Sequence, residues 1–277
     1  MHENTFQFAW FQRSDDGFDP LPLAQGRWRK DQMHGVAVSG LLARALEEAA
    51  AHRADMVPAR YHVDLFRPAR MTTTTTGVTV VREGPRLLLL DAAVEQDGET
   101  VARASATFLA PSADAPSAVW GSADHATPPP DDVAPTTGEP HVPFFSSDAP
   151  WSNDFGDHQN TGRHQTWQTA VPIVLGEPCT PFQAVASIAD ATSMVTNWGS
   201  GGVEHINTDI DLALSRLPDG TSLGLRALDH VAADGVAVGT AEVFDRTGTI
   251  GTATITALAN TRRTVDLSAG PGTRGAV

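Results

Sequence analysis

Two halves of this 277-residue chain carry the same order of features at a nearly constant spacing. Arg67 in FRP corresponds to Arg216 in SRLP at an offset of 149 residues, and Gly98 in QDGETVARASATF corresponds to Gly248 in RTGTIGTATITAL at an offset of 150. A repeated supersecondary unit leaves this kind of constant offset. We therefore predict a duplicated fold in which each half builds similar elements.

Each half contains one stretch with the periodicity of an amphipathic helix. In HGVAVSGLLARALEEAAA, residues 34–51, apolar side chains recur three and four positions apart, which places them on one helix face. A similar pattern covers residues 181–198, and Phe182-Gln183 follows His34-Gly35 at an offset of 148. We predict one helix in each half, buried against a sheet. The unpaired N–H groups near Gly35 would then face a ligand oxygen.

Strands are predicted around both helices, from runs rich in Val, Thr, Leu and Ala that are separated by turn residues. The predicted strands are 5–11, 60–67, 72–82, 86–96 and 100–109, then 165–175, 205–216, 222–231, 236–245 and 249–258. The clearest alternation is in 205–216, where it places Asn207, Asp209 and Asp211 together on the polar face. Asp97-Gly98 predicts a tight hairpin turn.

The composition changes between the two halves. Residues 111–162 are rich in Pro, Asp, Ser and Ala, which predicts a linker too poor in apolar residues to fold alone. We expect an N-terminal unit over 1–110, this linker, a C-terminal unit over 163–265 and a flexible tail over 266–277.

Charge and hydropathy exclude several classes of function. The net charge is −14, and no cluster of Lys and Arg is visible in the sequence, which argues against nucleic acid or an anionic membrane as a main partner. No run of about 18 apolar residues and no signal-peptide pattern occurs, so we expect a cytoplasmic protein without membrane insertion. The single cysteine, Cys179, has no basic neighbour in sequence and is expected to be a buried structural thiol.

Several motifs together resemble a known family. They are HGVAVSGLLARAL, VDLFRPARM, QDGETVARASATF, GEPCTPFQAVASIADATSMVTNW, NTDIDLALSRLPDG and DGVAVGTAEVFDRTGTIGTAT. They resemble the tandem hotdog proteins of the acyl-CoA thioesterase II type over about four-fifths of the chain. The resemblance implies an α+β double hotdog, with two antiparallel sheets each wrapped around a long central helix and paired so that the sheets form a continuous surface. It agrees with the duplication and the order of elements found above.

The resemblance also implies a chemistry and a set of site residues. In this family a helix carboxylate, a hydroxyl or amide on the following strand and a Gln on the last strand position a water that hydrolyses an acyl-CoA thioester. Asp190 matches the carboxylate and Asn207 matches the following position. The Gln position falls on Ile255 or Thr256, so Thr256 is the remaining candidate there. A thioester is a good electrophile, so a held water and oxyanion stabilisation suffice.

Other residues are weaker candidates for the same site. His34, Gly35 and Thr192 are assigned to substrate binding. Asp209 and Asp211 would join Asp190 if they share the face of Asn207, although solvated positions are the simpler interpretation.

Glu47 and Glu48 lie inside the first helix, where some single-hotdog thioesterases carry a base; solvent exposure is again the simpler interpretation. The His residues at 158, 164 and 205 lack metal-ligand spacing, so no metal and no cofactor is expected.

Two functions from different classes remain open at this point. The first is an acyl-CoA thioesterase in which Asp190 orients water. The second is a non-catalytic protein that binds acyl groups or acyl-CoA and has lost the last-strand Gln. In either case the expected partner is an acyl thioester, and association into a homo-oligomer is an expectation from the family.

Overall fold

The structure, a computed structural model, describes residues 8–260 and 262–268. In the N-terminal half a hairpin and a short turn of 3-10 helix precede one long helix and four strands. Their bounds are β1 (Phe11–Ser14), β2 (Gly17–Pro20), the 3-10 turn Pro22–Ala24, α1 (Gly35–Ala50), β3 (Val57–Asp64), β4 (Thr75–Glu83), β5 (Leu87–Gln96) and β6 (Glu99–Leu109).

The C-terminal half repeats this order with more interruptions. Its elements are β7 (Phe144–Ser146), the 3-10 turn Gly156–His158, β8 (Gln165–Thr169), α2 (Pro181–Ile188), the 3-10 turn Ala189–Ala191, α3 (Thr192–Asn197), β9 (Trp198–Gly199), β10 (Gly202–Val203), β11 (His205–Asn207), β12 (Asp209–Leu214), β13 (Ser222–Ala233), β14 (Val236–Asp245) and β15 (Gly248–Ala259). Residues 5–7 of the strand predicted at 5–11 and residues 269–277 of the tail predicted at 266–277 lie outside the described residues. In the described part of 5–11, only Phe11 belongs to a strand.

A single sheet of eleven strands runs through both halves. Its order is β4-β5-β6-β3-β12-β15-β14-β13-β8-β7, with β11 also paired to β15, and neighbouring strands are antiparallel. The two halves are thus joined into one continuous surface, as the family resemblance implies. They join because β3 and β12 both keep an open edge towards the other half and pair with each other, which removes two exposed edges at once.

The β3–β12 pairing forms a seam that relates the two halves. His62 lies opposite Asp211, 149 residues later, and the His62 Nδ1 is 2.9 Å from the Asp211 Oδ1. On either side of this pair, Tyr61 faces Leu212 and Val63 faces Ile210. Residues related by the repeat offset thus meet at the centre of the seam, as expected for an internal two-fold relationship.

The first helix has the predicted form, whereas the second is broken. Helix α1 is continuous and its buried side packs against β4, β5, β6 and α2. The stretch predicted as one helix over 181–198 changes from α2 to a 3-10 turn and then to α3. Within α2 the Ser187 Oγ donates to the carbonyl of Ala184 at 3.0 Å, a local bond that competes with regular helical pairing. A 3-10 segment inside a helix often marks a functional position.

Strand alternation changes phase between β11 and β12. In β12 the side chains of Ile210, Leu212 and Leu214 are buried, and the residues between them point outward. Asn207 pairs with Ala257, and Asp211 pairs with Thr254. Between these two pairs, the β11–β12 segment contains one residue more than β15 does. Such an irregularity shifts the residues before it to the opposite face. Asn207 consequently points inward, towards the helices, instead of sharing the outer face with Asp209 and Asp211.

Candidate functional site

Asp190 lies where the two halves touch, in the 3-10 turn between α2 and α3. Its carboxyl group packs directly on the first residue of α1: a Cβ built on Gly35 would lie 2.7 Å from the Asp190 Cγ. The backbone N–H of Val36 donates a hydrogen bond to the same carboxyl group. Only glycine leaves room for this approach, so the N-terminus of α1 holds the carboxylate of the second helix.

Asn207 forms a side-chain hydrogen bond with this carboxyl group. The Asn207 Nδ2 donates to the Asp190 Oδ1 at 2.9 Å, because the phase change after β11 turns the amide inward. Burial raises the pKa of Asp190, and the hydrogen bonds from Asn207 and from the Val36 backbone lower it by less. A carboxyl group with a raised pKa is a better general base than an ordinary aspartate.

The start of α1 has a free donor and a half-buried imidazole. His34 is the N-cap residue, but its side chain makes no capping hydrogen bond. Burial, followed by the nearby charge of Arg27, lowers the pKa of His34 to about 4, so the ring is neutral at physiological pH. Among the described residues the N–H of Gly35 has no hydrogen-bond partner. That N–H is available to a ligand oxygen.

Thr192 is two residues from Asp190, at the first position of α3. The residue has no solvent-exposed surface, and its hydroxyl has no partner within residues 8–260 and 262–268. A buried hydroxyl without a partner is costly, which is typical of a position kept for a ligand or an ordered water.

Thr256 does not join this group. It lies on β15 between Ile255 and Ala257, which are both buried on the helix side of the sheet, so its own side chain is on the outer face. There the Thr256 hydroxyl donates to Asp209 and its N–H donates to the Asp209 Oδ1 at 2.6 Å. The assignment of Thr256 to the group around Asp190 is corrected for this reason, and the outward Asp209 and Asp211 do not form a carboxylate pair with Asp190.

The expected Gln has no counterpart on the inner face of β15. Its buried, inward side chains are Ile250, Ala253, Ile255 and Ala257, all apolar. Asn207 is therefore the polar side chain that contacts the Asp190 carboxyl group among the described residues.

Glu47 is held at the start of the other helix. Its Oε2 accepts hydrogen bonds from the Thr180 Oγ1 and from the Gln183 Nε2, each at 2.8 Å, at the N-terminus of α2. Burial and the charge of Glu47 raise the pKa of the neighbouring Cys179 to about 12, so this thiol is protonated and unreactive at neutral pH. The Glu48 side chain, by contrast, is exposed and forms an ion pair with the buried Arg44 at 3.1 Å.

A cavity of about 580 Å³ lies beside the C-terminal end of α3. His205 and His230 are among its lining residues, and their ring centroids are 5.7 Å apart. His205 lies two residues before Asn207 on β11, so the two side chains share a strand face. Sequence reasoning considered His205 only as a metal ligand and missed its place next to Asn207, although the spacing of two on a strand was the available signal. Neither Asp190 nor Asn207 lines this cavity, so it adjoins the strand that carries Asn207 and does not include the Asp190 carboxyl group.

Comparison with family models decides which proteins the chain is related to. A model described as the acyl-CoA thioesterase N-terminal domain matches residues 24–109. A model described as the acyl-CoA thioesterase C-terminal domain matches residues 121–259. The chain belongs to the acyl-CoA thioesterase family. Each matched range covers one half of the sequence repeat. Gly35 lies in the first domain, and Asp190 and Asn207 lie in the second.

Similarity to solved structures shows that the two halves of this chain adopt the hotdog fold. The acyl-CoA thioesterase II TesB2 from Mycobacterium marinum is 17% identical, with a TM-score of 0.59 over 81% of this chain and 90% of that one. The tesB protein of Mycobacterium avium is 16% identical, with a TM-score of 0.61 over 82% and 87%. A hot dog protein of unknown function from Alicyclobacillus acidocaldarius is also 16% identical, with a TM-score of 0.61 over 93% and 98%. Among curated proteins no significant match was found.

Two further properties concern the described part of this thioesterase-family chain. Residues 8–260 and 262–268 contain no helix long and apolar enough to cross a membrane. The same residues contain no group of three or more His, Cys, Asp or Glu side chains that could hold a metal ion.

Proposed function

We propose that this chain hydrolyses acyl-CoA thioesters to a free acid and CoA, with a water molecule held and activated by Asp190. The observation that carries the proposal is the shared environment of the Asp190 carboxyl group. It accepts a hydrogen bond from Asn207, it is seated on Gly35 at the start of α1, and burial raises its pKa. Family membership supports thioester hydrolysis in general.

The reaction requires one base and one oxyanion site. The Asp190 carboxylate accepts a proton from water while the water oxygen bonds to the thioester carbonyl carbon. The N–H of Gly35, at the positive end of α1, stabilises the developing oxyanion. When the carbon–sulfur bond breaks, the proton on Asp190 is transferred to the leaving thiolate, which restores the carboxylate. In this proposal Asn207 keeps Asp190 in position, and the unpartnered Thr192 hydroxyl contributes to binding near the reacting group.

The experiment measures hydrolysis of acyl-CoA thioesters of different acyl chain lengths by the wild type and by Asp190→Asn. A thiol reagent detects the CoA that is released. The substitution keeps the shape of the side chain but removes the base, so kcat is expected to fall by about 10²–10⁴-fold. Asp91→Asn is the matched control, because Asp91 is an exposed carboxylate on the outer face of β5. Equal turnover by Asp190→Asn would contradict the proposed role. Absence of turnover with every acyl-CoA, in a wild type that still binds them, would support a binding protein instead.

A further inference from the structure

Basic side chains from two distant parts of the chain meet beside the start of α1. The segment RWRK, residues 27–30, and the pair Arg262-Arg263 are 232 or more residues apart in sequence. The Arg263 Nη1 donates to the carbonyl of Trp28 at 3.1 Å, which joins the two segments. We call Arg27, Arg29, Lys30, Arg262 and Arg263 the basic patch. The sequence shows RWRK only as a short basic run, and the structure adds the distant pair Arg262-Arg263 to it.

The charge of the basic patch is only partly neutralised. Arg29 pairs with Asp31 through two hydrogen bonds of 2.9 and 2.8 Å. The side chains of Arg27, Lys30, Arg262 and Arg263 have no ion pair with a carboxylate within 4.0 Å among the described residues. In a chain with a net charge of −14, most other arginines are paired, so a surplus of positive charge at one place is a distinct feature.

Arg27 is the member of the basic patch nearest to the candidate site. Its guanidinium carbon lies 5.6 Å from the centroid of the Phe155 ring, which orients the planar group. Burial lowers the pKa of Arg27, and its charge in turn lowers that of His34. An arginine held over an aromatic ring without a carboxylate partner is well suited to bind an anion from solution.

Backbone hydrogen bonds join the two ends of the loop that carries Arg27 and Lys30, directly before the start of α1. The N–H of Gly26 donates to the Gln32 carbonyl at 2.7 Å, and the N–H of His34 donates to the Ala24 carbonyl at 2.8 Å. Lys30 is five positions before Gly35, so their Cα atoms are at most about 18 Å apart. This limit places Lys30 near the start of α1, where Gly35 contacts the Asp190 carboxyl group.

We propose that the basic patch binds the phosphate groups at the nucleotide end of CoA, while the pantetheine arm runs along the start of α1 to the thioester at Asp190. This inference rests on the proposed function and adds the residues that bind the nucleotide end of the carrier. Arginine guanidinium groups bind phosphate oxygens through paired, charge-assisted hydrogen bonds. Free CoA is favoured over a phosphopantetheine group on an acidic carrier protein, because the net charge of −14 repels a large acidic partner.

The first experiment measures binding without turnover, so that its failure is distinct from failure of the proposed hydrolysis. Calorimetry compares free CoA with pantetheine, which lacks the phosphates and the nucleotide, for wild type, Arg27→Gln and Arg263→Gln. Each substitution is expected to weaken CoA binding about tenfold and to leave pantetheine binding within about twofold. Arg82→Gln is the matched control, because Arg82 is an exposed arginine at the far end of β4. Added salt should weaken binding of CoA and not of pantetheine.

The second experiment compares one acyl group on three carriers: CoA, pantetheine and an acidic acyl carrier protein. In Arg27→Gln the KM for acyl-CoA should rise about tenfold at unchanged kcat, whereas the KM for acyl-pantetheine should not change. Unchanged CoA affinity in both arginine variants would overturn the proposal, and so would an equal loss of CoA and pantetheine affinity. The proposal would also be overturned if the wild type preferred the acyl carrier protein to CoA and Arg27→Gln lost that preference.

Discussion

Gly35 and Asp190 meet across the boundary between the two halves of the chain. The Asp190 carboxyl group occupies the space that a side chain at residue 35 would need, and Val36 donates a backbone hydrogen bond to it. The proposed base therefore comes from the C-terminal half, and the helix N-terminus that faces it comes from the N-terminal half. Neither half contains the complete group, so the proposed site depends on the pairing of β3 with β12 as well as on the residues themselves.

Replacing Gly35 by alanine should displace the Asp190 carboxyl group. The added Cβ would lie 2.7 Å from the Asp190 Cγ, so the side chain or the helix must move. We expect kcat to fall at least about tenfold and the free energy of unfolding to fall by about 1–3 kcal/mol. Steady-state kinetics and denaturant titration measure the two effects. Gly77→Ala is the control, because nothing lies within 4 Å of a Cβ at that position; equal behaviour of the two variants would contradict the close approach.

Replacing Asn207 by alanine should change the pH dependence of the reaction. The Asn207 hydrogen bond lowers the pKa of Asp190, so its loss leaves burial less opposed and moves that pKa further upward. Because the base works only when ionised, the acidic limb of kcat/KM should move to higher pH, and kcat should fall. A complete pH–rate profile of both proteins tests this. If the acidic limb of kcat/KM stays at the same pH while kcat falls, Asn207 has a role other than lowering the pKa of Asp190.

Replacing Thr256 by valine should have little effect on catalysis. The Thr256 side chain is on the outer face of the sheet with Asp209, away from the inward Asn207. We expect kcat within about twofold of wild type and a loss of stability of about 1–2 kcal/mol from the broken hydrogen bonds. A parallel assay of Thr256→Val and Asn207→Ala measures the contrast. A large drop of kcat in the valine variant, with the fold intact by circular dichroism, would return Thr256 to the site.

His34 should make stability depend on pH. Its pKa is lowered from 6.5 to about 4 in the folded chain, so between these values the unfolded state binds more protons than the folded state. Stability contributed by this neutral ring is complete above about pH 6.5 and is lost as the pH falls towards 4. In His34→Gln the Tm should therefore decrease less between pH 6.5 and 4.5 than in wild type. His52→Gln serves as control, because the His52 side chain is 51% exposed.

The main features of the fold could be predicted from local patterns. The apolar spacing of residues 34–51 predicted α1 to within one residue at each end, and the repeat offset of 149 is the offset between His62 and Asp211 at the seam. Periodicity is set by each segment on its own, so it is readable in the sequence. The joining of both halves into one sheet depends on which strand edges meet, and no local pattern contains that information.

The site was only partly predictable for the same reason. Asp190 was identifiable because it matches the helix carboxylate that the family resemblance implies, and the structure brings it to Asn207. A carboxylate in an apolar helix also needs such a partner. The face of Asn207 was predicted wrongly, since the extra residue before β12 reverses the alternation and leaves no mark in the composition. Thr256 was placed by counting from Gly248 along β15, a procedure that gives position along a strand but not the partner across it.

The internal repeat means that the chain contains two comparable locations, and only one of them is equipped. At the helix offset of 148, Gly35 corresponds to Gln183 and Asp190 corresponds to Leu42. Leu42 is fully buried in the core, and the Gln183 amide is engaged with Glu47. Active-site titration should accordingly yield one functional centre per polypeptide, and saturation curves should follow simple hyperbolas for an isolated chain. The start of α2 therefore serves as structural support, and it is free to change without loss of the proposed reaction.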